Sequence, residues 1–73
     1  MKQKYSSNLK SIRSKRKFTQ QELGMKFRNP VDLTVISRWE RGVVRPSYDN
    51  LLELARVLQV DPRKLKFEKI VTD

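Results

Sequence analysis

Leu33, Thr34, Ser37 and Arg38 fall on one side of a short stretch whose opposite side carries Ile36 and Trp39. A guanidinium presents a rigid fork of donors that fits the O6 and N7 edge of guanine. A threonine hydroxyl can donate or accept there, or its methyl can touch a thymine methyl, and a leucine makes only apolar contact. Groups of these types bind and discriminate. They do not by themselves catalyse. The 73-residue chain has no cysteine and no histidine, which removes disulfides, thiol nucleophiles, imidazole bases and the usual zinc sites. The remaining Asp, Glu, Lys, Ser, Thr and Tyr show no paired catalytic constellation, and there is no glycine-rich phosphate loop. The chain therefore reads as a binding protein, not an enzyme, with no cofactor and no metal.

Such a face needs a rigid support, and apolar residues recur at helical spacing along the whole chain. Two glycines are too few for the turns of an all-β fold. The pattern predicts one all-α domain over residues 1–73, built of five short helices. The first runs from about Ser7 to Arg16 with Leu9 and Ile12 inward. The second opens at Thr19-Gln20-Gln21-Glu22, a capping box, with Phe18 and Leu23 as a hydrophobic staple and Leu23 and Phe27 one turn apart. It ends at Arg28-Asn29-Pro30, because proline lacks an amide hydrogen and pushes Asn29 out of the α region. Asp32 caps a third helix, Leu33 to Arg41, closed by a left-handed Gly42. Ser47 caps a fourth, Tyr48 to Leu58, and Asp61-Pro62 opens a fifth to about Lys66. Phe67, Ile70 and Val71 in the tail, residues 67–73, make either a short strand or a frayed end. Gly24 costs the second helix about 1 kcal/mol relative to alanine. Either a neighbouring helix backbone approaches it closely, or the helix tolerates it.

Lys plus Arg number 17 against 8 Asp plus Glu, a net charge of +9. Residues 1–46 hold 12 basic and 3 acidic side chains, whereas residues 47–73 hold 5 of each. A one-sided excess of this kind points to an anionic partner, most often nucleic acid. The second and third helices with their short connection form a helix-turn-helix candidate over about 19–41. In that motif the start of the second helix meets a phosphate, which places Thr19 and Gln20 there, while the third helix enters the major groove. Arg41 and Arg45 flank Gly42 and extend toward phosphates. Lys15-Arg16-Lys17 reads equally as a DNA contact or a solvated helix end, and Lys2 and Lys4 as a minor-groove arm or a frayed terminus. Val57, Val60 and the tail read as a dimer surface or as core filling. No apolar run reaches the ~18 residues of a membrane span, and the first seven residues lack the apolar segment of a secretory signal. The expected location is cytoplasmic, without membrane or small-molecule ligand.

Leu9-Lys10-Ser11-Ile12-Arg13, Thr19-Gln20-Gln21-Glu22-Leu23, Ile36-Ser37-Arg38-Trp39-Glu40-Arg41-Gly42, Pro46-Ser47 and Leu51-Leu52-Glu53-Leu54-Ala55 occur in this order. Over about Leu9 to Leu65 the chain resembles the phage-repressor/Cro-like (XRE-type) helix-turn-helix family. The resemblance implies a five-helix lambda-repressor-like domain and a prokaryotic or phage transcriptional regulator, a repressor that is dimeric in the family's manner on a two-fold operator in double-stranded DNA. An antitoxin-type interaction module of the same fold is the alternative. It also implies base contacts from Leu33, Thr34, Ser37 and Arg38, a phosphate contact from Gln20, and an ion pair between Arg13 and Glu40 that joins the first helix to the end of the third. Two positions depart from the family pattern. Lys17 stands where a glycine is usual, and the turn from Arg28 to Asp32 lacks the usual glycine and is two residues longer. Asn29 is expected to supply the left-handed position there, and Arg28 to swing toward a phosphate.

Overall fold

The computed structural model describes residues 3–71 and orders them as β1 (Tyr5–Ser7), α1 (Leu9–Lys15), α2 (Gln20–Met25), α3 (Leu33–Glu40), α4 (Tyr48–Leu58), a single 3-10 turn (Pro62–Lys64) and β2 (Phe67–Lys69). Side-chain caps fix where α2, α3 and α4 begin. The Thr19 hydroxyl accepts from the Glu22 amide at 3.0 Å, and Glu22 accepts in return from the Thr19 amide at 2.8 Å. Asp32 accepts from the Thr34 amide and Ser47 from the Asn50 amide. Each cap satisfies amides that the first turn leaves without a partner.

The buried faces of these helices meet in one core of Leu9, Leu23, Phe27, Ile36, Trp39, Leu54, Ala55, Leu58 and Leu65. The Phe27 and Trp39 rings stack with centroids 6.1 Å apart, which locks α3 onto the chain just after α2. Val57, Val60 and Phe67 pack against the same core.

The fold is mostly helical but not all-α, and the expected fifth helix is absent among the described residues. Asn8 explains both corrections. Its side-chain amide donates to the Lys64 carbonyl at 2.8 Å and its carbonyl accepts from the Lys66 amide at 2.9 Å. A helix continuing to Lys66 would need those backbone groups, so the Asp61-capped segment stops after one 3-10 turn. The chain then runs back along β1 as an antiparallel strand, in register Tyr5 with Lys69, Ser6 with Glu68 and Ser7 with Phe67. Ser7, expected inside the first helix, lies in β1, and its hydroxyl accepts from the Leu9 amide. Lys4 is held as well: its amide donates to the Gly42 carbonyl and its own carbonyl accepts from Ile70. Lys2 lies outside the described residues.

α2 ends at Met25, three residues before the expected Arg28. Phe27 and Val31 both donate to the Gly24 carbonyl, so the connection folds back over the last turn of the helix. A Cβ on Gly24 would lie 2.2 Å from the Val31 carbonyl oxygen. The close approach is real, but it comes from this loop and not from another helix. The longer connection is thus absorbed without a left-handed residue: Asn29 has no positive φ, and among the described residues Lys17, Gln59 and Gly42 do. Lys17, at φ 61°, takes the left-handed turn that the family gives to glycine, at a steric cost of roughly 1–2 kcal/mol. Lys17→Gly is therefore expected to stabilise the protein, with the added freedom of the unfolded glycine offsetting part of the gain. The result to look for is an increase of about 0.5–1 kcal/mol in the unfolding free energy from urea denaturation.

Candidate nucleic-acid interface

α3 presents the polar face read from its sequence. Ile36 and Trp39 are buried, while Leu33, Thr34 and Arg38 are exposed and Ser37 is half-buried. Leu33 keeps 43% of its surface open to solvent, an apolar side chain set among polar ones. The buried half of the helix holds the exposed half rigid, a requirement for reading base edges within about 0.5 Å.

The end of α3 is tied to α1 and to the start of α2. Arg13 donates through Nε to Glu40 Oε2 and through Nη2 to Oε1 at 3.2 Å, while its Nη1 donates to the Phe18 carbonyl at 2.7 Å. The two side chains are 13% and 3% exposed, so this pair sits largely out of water. Gln20 joins it, donating through Nε2 to Glu40 Oε1 at 2.9 Å. One amide hydrogen of Gln20 is engaged there, and the second stays available to a further acceptor. The sequence suggested a pair; the structure contains a four-residue node that fixes where Gln20 can point.

The remaining arginines occupy separate neighbourhoods. Arg41 caps α3 and is exposed. The Arg45 guanidinium lies over the Tyr5 ring, 5.9 Å from its centroid, a favourable cation–π placement. Arg28 is exposed, with its amide donating to Glu53 Oε1 at 2.7 Å. Lys15 and Lys17 are exposed, and Arg16 donates to the Gln59 carbonyl.

Two features that position this surface were not singled out from sequence. Glu53 binds Arg28 on one side and Arg56 on the other, and Arg56 also reaches the Lys26 carbonyl. Together they strap the connection between α2 and α3 onto α4. The Glu53/Arg56 spacing is a visible i,i+3 signal; their reach across to residues 26 and 28 is not. Asn8 is the other: the sequence places it inside the first helix and gives no sign that it clamps the C-terminal chain. Hydrogen bonds from Arg56, then from the Arg28 amide, lower the Glu53 carboxyl from 4.5 to about 2. A carboxylate with a depressed folded value stabilises the fold above its unfolded value and loses that contribution as pH falls through the folded one. The stability difference between wild type and Glu53→Gln should then be widest above about pH 4.5 and close as pH falls toward about 2. Urea denaturation of both proteins across that range measures it.

Two helices joined by a connection that folds back over the end of the first, the second with an exposed polar face and a buried apolar one, define a helix-turn-helix domain. A helix-turn-helix family model matches residues 9–65, and the chain belongs to this XRE/Cro-like family of DNA-binding transcription regulators. No curated protein matches the chain. Among the described residues no helix is long and apolar enough to cross a membrane.

Proposed function

We propose that the protein is a sequence-specific repressor that binds a two-fold operator as a homodimer and inserts α3 into the major groove. The observation that carries this reading is the exposed face of α3, where Leu33 and Arg38 stand beside Thr34 and Ser37 on a helix anchored by Ile36 and Trp39. Arg38 pairs with guanine, Thr34 and Ser37 hydrogen-bond base edges, and Leu33 packs on a thymine methyl. Thr19, Gln20, Arg28, Arg41 and Arg45 take phosphates and set the register. Self-association is favoured by Tyr48 and Leu52, one turn apart on α4 and 72% and 39% exposed. The second reading is an antitoxin-type module that also binds DNA. The equal numbers of acidic and basic side chains in residues 47–73 suit a protein-binding face there, and a copurifying toxin would support it.

Selection from random duplex DNA tests the main reading. A palindromic consensus with half-sites about 34 Å apart is expected. No enriched sequence, with affinity governed by salt alone, would make the protein a non-specific coat.

A further inference from the structure

The cationic excess does not all lie on the surface assigned to DNA. Lys15 at the end of α1, Arg16 just after it and Lys64 in the 3-10 turn line a groove of about 620 Å³, within the roughly 300–1,000 Å³ typical of ligand pockets. Its apolar residues are Ile12 and Val60, both partly buried against the core. Asp61, its acidic residue, is paired with Arg63 at 2.9 Å. Neither Lys15 nor Lys64 pairs with an acid among the described residues.

None of the residues lining the groove belongs to α2 or α3. Asn8, Ile12, Lys15 and Arg16 share one face of α1, and Arg13, the residue that reaches α3, is turned about 100° from Ile12. Val60 lies beyond the far end of α4, which starts just after Arg45 and extends about 16 Å. The two ends are also pinned: Asn8 clamps Lys64 and Lys66 at one, and Arg16 donates to the Gln59 carbonyl at the other.

We infer that this groove docks an acidic segment of another polypeptide, with acidic side chains at Lys64 and at Lys15 and Arg16 and an apolar one on Ile12 and Val60, while α3 remains free to engage DNA. Charge complementarity selects the acids. Spacing favours an extended chain over a small anion: Asn8, which holds the Lys64 backbone, and Arg16, which is held at the Gln59 carbonyl, stand about 12 Å apart along the helix, so the cations are rooted at opposite ends of the groove. Four residues of extended chain cover about 13 Å, so a Glu-Ser-Leu-Ser-Glu pattern places all three side chains on one face.

The test uses a fluorescein-labelled peptide containing Glu-Ser-Leu-Ser-Glu, titrated by anisotropy into the protein alone and into the protein saturated with a selected duplex. Binding in both titrations is expected. The double variant Lys15→Gln/Lys64→Gln, both at exposed positions, should weaken the peptide at least about tenfold and the duplex less than about threefold. Replacing the peptide's leucine by serine should also weaken it. The titration without DNA reads the groove even if no operator emerges from selection. The inference is overturned if the duplex displaces the peptide, if the double variant weakens duplex and peptide alike, which would make the groove a phosphate surface, or if the variant binds the peptide as wild type does.

Discussion

Glu40→Ala should destabilise the protein by about 3–5 kcal/mol. Glu40 receives Arg13 through both carboxylate oxygens and Gln20 through one of them, at 3% exposure. Removing it leaves the Arg13 guanidinium largely out of water with only the Phe18 carbonyl as partner, and a buried unpaired charge costs more than the pair contributed. A domain of this size holds roughly 4–11 kcal/mol of stability in total, so the variant should be close to unfolding at room temperature. Glu40→Gln keeps the shape and an acceptor for Gln20, and should remain folded with a smaller loss. Replacing Arg13 and Glu40 together by methionine should cost less than the sum of the single replacements, because neither charge is then orphaned. Urea denaturation of wild type, Arg13→Met, Glu40→Met and the double variant gives the coupling directly. Additive losses would mean that the two residues act independently.

The helices carrying the site were legible because their signals are local. Thr19 with Glu22, Asp32 and Ser47 mark starts that hold in the structure, and the Ile36/Trp39 spacing separates the buried face of α3 from its open one. The errors fall where a distant residue overrides a local preference. Asp61-Pro62 is a sound helix start, yet Asn8, 58 residues from Lys66 in sequence, takes the backbone groups that a helix would need. Nothing around Tyr5 marks it as a strand, since β1 exists only because β2 and Gly42 receive it. The early end of α2 is similar: the Val31 amide bonds back to Gly24, a contact that depends on the whole connection. Of the candidate site, the residue types on α3 could be read in advance. The node joining Gln20 to Arg13 through Glu40, and the strap from Glu53 and Arg56, required three dimensions.

The charge that points to DNA divides accordingly. Arg13 is consumed inside the fold, Arg56 and Arg63 are paired with acids, and Lys15 and Lys64 line a groove to which α2 and α3 contribute no residue. Arg38 stands in the centre of the exposed face of α3, with no acid beside it among the described residues. Arg38→Ala should leave stability nearly unchanged, because its side chain supports nothing in the core. Its effect should fall on recognition, as a loss of about 1–3 kcal/mol in discrimination at one base pair per half-site.

Comparing wild type and Arg38→Ala on the selected duplex and on duplexes changed one base pair at a time tests most directly whether α3 reads sequence. The expected result is that the variant stops discriminating at a single guanine position in each half-site and keeps its preferences elsewhere. A uniform loss of affinity across every duplex, with a shallower salt dependence, would show that Arg38 binds phosphate and contradict base reading by this face.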